Sequence, residues 1–145
     1  MINEKNIGEF LYSTDKTKLN IEYIHYFLSK ESYWAKNIPI ELVKTSIEGS
    51  LCFGVYYQGK QIGFARVITD YATFGYLADV FIDKNYRGKG LSKELMKFIM
   101  EQEVIKKLRR FMLATLDAHS LYAQFGFESQ EGNKRFISIK FFEEY

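Results

Sequence analysis

A short basic turn with two glycines offers the clearest chemistry in this chain. The sequence Arg87-Gly88-Lys89-Gly90 follows an apolar run, Leu77–Ile82, and leads without a break into an amphipathic run, Leu91–Met100. Glycine lets the backbone approach a ligand closely, and the first amides of a helix have no partner within that helix. Anions bind at such places, so the pattern predicts a site for a phosphorylated ligand.

The spacing of this turn excludes two common phosphate-binding motifs. No Gly-Lys-Ser/Thr follows a four-residue spacer, as a P-loop requires, and the glycines lack the spacing of a dinucleotide fingerprint. A pyrophosphate held by main-chain amides fits instead, with Arg87, Lys89 and Lys93 as counter-charges. The alternative is a solvated basic turn on the surface.

Three further side chains could act as an acid or a base. Tyr122 lies one helical turn before Gly126, where its phenol could face the same cleft as the turn or simply pack the core. Asp79 is a carboxylate within an apolar strand, where an unpaired charge is costly. It is therefore a functional base, a residue facing solvent at a bulge, or the partner of an arginine. His119 is a second candidate base, or an exposed histidine in the first turn of a helix.

The turn and the tyrosine segment together resemble the GNAT superfamily of N-acetyltransferases. The superfamily's acetyl-CoA signature, Arg/Gln-x-x-Gly-x-Gly/Ala, is matched by residues 87–92, with Ser92 as the final small residue. Its later motif, Tyr-x-x-x-Gly-Phe, is matched by Tyr122, Gly126 and Phe127. An asparagine common seven residues before the tyrosine is Thr115 here. The resemblance covers about residues 51–139.

The resemblance implies a role for each matching residue in binding acetyl-CoA as acyl donor. The backbone of Phe81 and Ile82 would pair with the pantetheine arm like an added strand, and Thr115 would lie beside that arm. Tyr122 would protonate the departing thiolate, which a phenol of pKa about 10 can do for a thiol of pKa about 8.5. The residues expected to hold the pyrophosphate are Arg87, Gly88, Lys89, Gly90, Leu91 and Ser92.

Direct attack of an amine on the thioester requires that the amine first lose a proton. Asp79 is the first candidate for that base, His119 the second, and either could act through water. The resemblance places the acceptor between the first two helices and the central strands. Aromatic rings there could cradle a cation or merely cover the sheet. The residues expected to contact a small-molecule or peptide amine are Tyr33, Trp34, Arg66 and Tyr76.

Strands and helices must alternate to position these residues, which predicts an α/β fold of the mixed α+β kind. We expect a single domain over residues 1–145, with a mixed sheet of about six to seven strands and helices on both faces. The predicted strands are 10–12, 51–57, 61–69, 74–82, 110–116 and Phe136–Phe142. The predicted helices are 19–28, Pro39 to 47, 91–100 and a short one, capped by Asp117, that runs to about Phe125.

Composition narrows the classes of function. A net charge of +2 is too small to indicate a nucleic-acid partner, although Lys106, Lys107, Arg109 and Arg110 form a basic run. Two histidines and one cysteine, Cys52, predict no metal site and no disulfide. No apolar run could span a bilayer, so we expect no membrane partner and a cytoplasmic location.

Two questions about the molecule as a whole stay open at this stage. The fold could serve a regulatory module that binds CoA without transferring an acyl group. The aromatic pair Phe141-Phe142 could finish the core or form an interface, since homodimers are common in the superfamily.

Overall fold

The computed structural model describes residues 1–145 and is built on one six-stranded sheet whose strands follow one another in chain order. Neighbouring strands are antiparallel except for the last pair, which is parallel. The strands are β1 (Glu4–Ile7), β2 (Phe10–Ser13), β3 (Ser50–Tyr57), β4 (Lys60–Thr69), β5 (Phe74–Ile82) and β6 (Arg110–Leu113). The helices are α1 (Ile21–Tyr26), α2 (Ile40–Glu48), α3 (Leu91–Met100), α4 (Glu103–Lys107) and α5 (His119–Ala123).

The hairpin of β3 and β4 is the centre of the sheet. Its two-residue turn has positive φ at both positions, 48° at Gln58 and 81° at Gly59. That geometry matches the right-handed twist of the strands it joins, which confirms the predicted hairpin. The turn fixes the register of β3 against β4, and the outer strands build on this pair.

Helices cover both faces of the sheet, as predicted, and each face has its own core. On one face α3 packs Leu95, Phe98 and Ile99 against the apolar side of the hairpin. On the other face α1 and α2 pack against Phe64 and Phe81. Removing these side chains from water supplies the main stabilisation, about 1.5–3 kcal/mol for each large apolar side chain. The sheet is therefore held from both sides, as a platform for the loops at its edge.

Strand β5 is longer than β6, its parallel neighbour, and extends beyond it. Its pairing with β6 covers only Phe74–Leu77, which lie opposite Arg110–Leu113. The register of β4 against β5 shifts between Phe64 and Arg66, and Asp79 has a φ of 55°. A bulge of this kind bends a strand. Residues 78–82 therefore have no partner on the β6 side, and we call the space beside this unpaired stretch of β5 the wedge.

The largest departure from the predicted elements is at the end of the chain. Phe136–Phe142 is not a strand: residues 134–145 make no backbone–backbone hydrogen bond. The composition favours a strand, but a strand also needs an edge to pair with, and this segment does not lie along one. The sheet thus has six strands, within the predicted number.

Smaller differences occur elsewhere. The residue that precedes α5 is Ala118, not Asp117, and the Thr115 hydroxyl accepts a hydrogen bond from the Ala118 amide at 3.1 Å. β6 ends at Leu113, three residues earlier than expected, because the chain turns there toward α5. Strand β1 and helix α4 were not predicted, because both are short and largely polar in sequence and so carry no clear apolar pattern. No helix is long and apolar enough to cross a bilayer.

Candidate active site

The basic turn lies where β5 ends, at the mouth of the wedge. The Asp83 carboxylate accepts the Asn85 amide at 2.9 Å and so starts a 3-10 turn that leads the chain out of the strand. Gly88 and Gly90 then take φ values of 79° and 76°. A Cβ at either position would meet nothing within 4 Å. Glycine is therefore required by the left-handed backbone rather than by lack of space.

The amides at the start of α3 are available to a ligand. Gly90 is the N-cap, no side chain caps the helix, and the Glu94 amide is the first to bond back, to the Gly90 carbonyl at 3.1 Å. The amides before Glu94 therefore lack an acceptor in the preceding turn. Leu91 is buried beneath them and anchors the helix start to the core. This end of α3 is an exposed set of donors with the positive end of the helix dipole behind it.

The cationic side chains in and after the turn differ in whether they bond to the rest of the chain. Arg87 donates from Nε to the Ile82 carbonyl at 3.0 Å, which ties the turn back to the end of β5. Lys89 and Lys93 are exposed and make no ion pair. Arg87 therefore fixes the shape of the turn with one nitrogen, while the two lysines remain free to meet an anion.

The opening between β5 and β6 has a rigid inner wall. Phe81 is buried, and its ring stacks on Phe27 with centroids 3.8 Å apart and planes 7° from parallel. That packing immobilises the part of β5 whose β6-facing side is unpaired. Phe81 and Ile82 thus lie in a stretch of β5 with no strand partner on the β6 side, and the Ile82 carbonyl accepts only the bond from Arg87 Nε described above.

Tyr122 belongs to the same buried cluster as Ile82 and Leu91. It is 9% exposed on α5, and its ring meets Phe127 edge to face with centroids 5.9 Å apart. Its hydroxyl has no hydrogen-bond partner in the chain, and it is not among the hydroxyls shut off from solvent. Burial raises the pKa of the Tyr122 phenol above its ordinary value, and the Tyr33 phenol and Asp117 carboxylate raise it further. The phenol is therefore a proton donor held in its neutral form.

A groove of about 820 Å³ runs along β6 beside this phenol. Residues 109–115 of the strand region line one side, and Tyr122 lies with the residues after it on the other. Thr115 and His119 also line this groove, and His119 is exposed. We call this cavity the β6 groove.

Three of the predicted site residues meet at the bulge in β5. Asp79 accepts hydrogen bonds from Trp34 Nε1 at 2.8 Å through Oδ1 and from Arg66 Nε at 2.6 Å through Oδ2. The Asp79 and Arg66 side chains are only 10% and 16% exposed. Of the alternatives for Asp79, pairing with an arginine is the one that the structure shows. The carboxylate is charged, compensated and oriented by two donors.

The aromatic residues divide into two groups. Tyr33 and Trp34 are exposed, with ring centroids 5.0 Å apart in an edge-to-face arrangement. The Tyr33 phenol is near enough to Tyr122 to raise the pKa of that phenol. Tyr76 is half-buried on β5, beside Ile68 and Met112 of the neighbouring strands, and takes no part in the hydrogen-bond network.

The structure adds contacts that the sequence did not indicate. Ser50 Oγ accepts from Arg66 at 3.1 Å and completes the network around Asp79. Tyr23 donates from its hydroxyl to Asp83 at 3.2 Å and so joins α1 to the start of the turn. His25 Nε2 lies 2.9 Å from the Ile38 carbonyl, a structural contact away from the cleft. Only the Asp83 side chain carried a local signal, as an aspartate that caps a turn.

Comparison with known proteins agrees with this geometry. A family model described as "Acetyltransferase (GNAT) domain" matches residues 48–129. A Gibberella zeae protein named as an acetyltransferase is 31% identical, with 81% of this chain and 77% of that protein covered. The spermine/spermidine N(1)-acetyltransferase of Bacillus subtilis is 29% identical, with 79% and 84% covered.

A solved structure gives the same assignment. It is a Xanthomonas campestris protein described as an acetyltransferase of the GNAT family, with a TM-score of 0.89 and 46% identity. The match covers 93% of this chain and 95% of that one. With the turn before α3, the wedge beside β5 and Tyr122 already in place, the chain belongs to the GNAT family and is an acetyltransferase.

Proposed function

We propose that the chain transfers the acetyl group of acetyl-CoA to a primary amine of a small molecule or peptide. The observation that carries this proposal is the unpaired side of β5 beyond Leu77, which leads directly to the uncapped start of α3. The unpartnered phenol of Tyr122 supports it. The pyrophosphate would bind the amides of residues 87–92. The pantetheine arm would pair with Phe81 and Ile82, and would pass Thr115 on the opposite wall.

The reaction follows from what these groups can donate and accept. The amine nitrogen attacks the thioester carbonyl carbon, the carbon–sulfur bond breaks, and the sulfur leaves as a thiolate. Tyr122 gives its phenolic proton to that sulfur, which is why a phenol kept neutral by burial suits the position. The amine loses one proton in the same sequence, and the phenolate recovers a proton from solvent.

The route of the amine proton involves Asp79 through water. Each oxygen of that carboxylate already accepts one strong donor but retains a further lone pair. A proton held on Asp79 itself would break the ion pair with Arg66, so Asp79 is better suited to orienting a water that carries the proton away. His119, exposed on the wall of the β6 groove, is the alternative acceptor.

The acceptor site is bordered by Tyr33 and Trp34. Their exposed rings offer apolar faces that suit the carbon skeleton of an amine and can attract a cation. A Bacillus subtilis relative is named for spermine and spermidine, which supports an amine acceptor. Since Arg66 neutralises Asp79, this wall carries little net negative charge. We therefore propose an acceptor with one amine near aromatic or aliphatic carbon.

The test combines calorimetric titration with acetyl-CoA and a thiol-release assay over amines, amino acids and peptides. In Tyr122→Phe we expect kcat to fall about 10²- to 10⁴-fold while the affinity for acetyl-CoA is kept. Tyr71→Phe is the matched control, because Tyr71 is exposed at the far end of β5. Equal kcat in the two variants would remove Tyr122 as the acid. Binding of acetyl-CoA with no thiol released from any acceptor would favour the non-catalytic CoA-binding module.

A further inference from the structure

The side chain of Trp34 joins the proposed acceptor wall to the sheet. Trp34 lies in residues 32–37, between α1 and α2, which we call the aromatic loop. The loop is braced internally, since Ser32 Oγ accepts from the Ala35 amide at 3.1 Å. The bond from Trp34 Nε1 to Asp79, at 2.8 Å, is the only hydrogen bond from this loop to a strand. Toward the sheet, the Trp34 ring is thus oriented through Asp79.

Packing fixes the Trp34 ring only in part. The residue is 41% exposed and meets one buried ring, Phe27, with centroids 6.4 Å apart and planes tilted by 47°. A tryptophan with one side in water takes much of its orientation from the partner of its N–H group. The angle at which this ring faces an acceptor therefore depends on what holds the Asp79 carboxylate.

A chain of hydrogen bonds runs from Asp79 to the end of α2. Arg66 donates from Nε to Asp79 at 2.6 Å and from Nη1 to Ser50 Oγ at 3.1 Å. Ser50 Oγ in turn donates to the Ser46 carbonyl at 2.7 Å. A serine hydroxyl has one proton, which goes to that carbonyl, so its oxygen is left to accept from Arg66. Each group in the chain thus has one defined role as donor or acceptor.

Ser50 fixes the rotation of the Arg66 guanidinium. A guanidinium bonded through Nε alone can turn about that bond, whereas bonds from Nε and Nη1 to two partners hold its plane. Ser50 is 2% exposed, so water has little access to replace its hydroxyl. Asp79 has a φ of 55°, which a residue other than glycine keeps only where its surroundings hold it. Loss of the Ser50 hydroxyl therefore loosens Arg66, and through it Asp79 and Trp34.

We propose that Ser50 is a positioning residue for the acyl acceptor. Buried at the start of β3, it holds Arg66 and Asp79 so that the Trp34 ring has one orientation before the acceptor arrives. The inference rests on the proposed function in one respect, that the acceptor binds beside Trp34. The orientation of Trp34 by Ser50 is a property of the free protein and can be measured without any ligand.

Fluorescence of Trp34 tests the orientation directly, because it is the one tryptophan of the chain. With excitation where tyrosine does not absorb, we expect acrylamide to quench Ser50→Ala up to about twofold more strongly than the wild type, since a loosened ring that is 41% exposed gains further access to water. Ser46→Ala is the matched control. It removes a hydroxyl that donates to the Val43 carbonyl at 2.8 Å but keeps the carbonyl to which Ser50 donates, so its quenching should equal that of the wild type.

Steady-state kinetics with phenethylamine, an amine that carries an aromatic ring, connects this orientation to the acceptor. In Ser50→Ala we expect KM for phenethylamine to rise about tenfold while kcat changes less than about twofold, because the ion pair of Arg66 with Asp79 is kept. The affinity for acetyl-CoA, measured by calorimetry, should equal that of the wild type. A residue that only stabilised the fold would leave this KM unchanged.

A second variant keeps the test independent of folding. Ser50→Cys retains the size of the side chain but only a weak donor and acceptor, so its quenching and KM should lie between those of the wild type and Ser50→Ala. Circular dichroism shows whether each variant folds, and Ser50→Cys decides the outcome if Ser50→Ala does not.

Three results would overturn the role of Ser50. They are wild-type quenching in both Ser50 variants, an equal rise in the Ser46→Ala control, and a KM that stays constant while quenching rises. Absence of thiol release by the wild type with every amine would instead contradict the proposed function. The quenching comparison would then still decide whether Ser50 positions Trp34.

Discussion

Asp79 shows how much a single residue depends on its partners. In the sequence it is a carboxylate in an apolar strand, which suggests a base. In the structure both of its oxygens are occupied, by Trp34 and Arg66, at a bulge with positive φ. A carboxylate in this position orients its neighbours as well as any water bound to it. Its contribution to stability and the part in catalysis that we propose for it are therefore linked, and a substitution has to separate them.

Replacing Asp79 by asparagine should lower both stability and kcat. The Arg66 guanidinium would stay largely buried without a compensating charge, at a cost of about 3–5 kcal/mol in the free energy of unfolding. The amine would also lose the water that Asp79 orients. Denaturant unfolding measures the first effect, and steady-state kinetics with a saturating acceptor measures the second.

The control removes the ion pair as a whole. Asp79→Leu with Arg66→Met should recover most of the lost stability, because no buried charge is left unpaired. It should not recover kcat. If kcat returned together with stability, Asp79 would be a structural residue with no part in the movement of protons.

For single residues, the sequence predicts best the features that depend on the spacing of neighbouring residues in the chain. Gly88, Gly90 and Tyr122 occupy the positions that their motifs indicate, because backbone conformation and helix phase are local properties. The ion pair of Arg66 with Asp79 depends on the register of β4 against β5, which the sequence does not reveal. Pairing with an arginine could be anticipated as one alternative, but not which arginine.

At the scale of elements, the turn between β5 and α3 is defined by its backbone. Gly90 is both the N-cap of α3 and a residue with a φ of 76°, so it sets the direction in which the first amides of the helix point. Gly59, in the turn between β3 and β4, has a φ of 81° and equally open surroundings. The two glycines have the same backbone conformation, but the turn at Gly90 leads into a helix with free amides, whereas the turn at Gly59 joins two strands.

Alanine at these two glycines should therefore have equal effects on stability and unequal effects on binding. Each substitution places a Cβ in the left-handed region, at a cost of about 1–2 kcal/mol in the free energy of unfolding. In Gly90→Ala, relief of that strain turns the α3 amides away from the ligand, and we expect acetyl-CoA to bind about tenfold more weakly by calorimetry. Gly59→Ala should bind like the wild type. Equal affinity in both variants would mean that these amides do not hold the pyrophosphate.

The elements that sequence predicted well are those with strong local patterns. The hairpin has its turn residues, β5 is apolar apart from Asp79, and α3 has an apolar stripe at helical spacing. Strand β1 is exposed and polar, so no alternation marks it. Phe136–Phe142 has the composition of a strand but does not lie along an edge of the sheet. Local preference is present there, but pairing depends on where the rest of the chain places the segment.

The whole molecule combines a rigid platform with two incomplete edges. One is the side of β5 beyond Leu77, which we propose is completed by the pantetheine arm of acetyl-CoA. The other is the outer edge of β6, which no strand of the chain covers. Tyr122 lies beside this second edge, because α5 follows β6 and lines the β6 groove. The proposed acid is therefore held by the last part of the chain, and the proposed phosphate site by the turn before α3.

Acetyl-CoA should accordingly stabilise the whole molecule against unfolding. In the proposed site the ligand contacts β5, the start of α3 and α5, which come together only in the folded chain, so it binds the native state alone. At a concentration of acetyl-CoA about 100 times its dissociation constant, we expect the free energy of unfolding to rise by about 2.7 kcal/mol. Denaturant unfolding with and without acetyl-CoA measures this rise, and Gly90→Ala should show about half of it at the same concentration, because we expect that variant to bind about tenfold more weakly. Unfolding that acetyl-CoA leaves unchanged would show that these elements do not form its site.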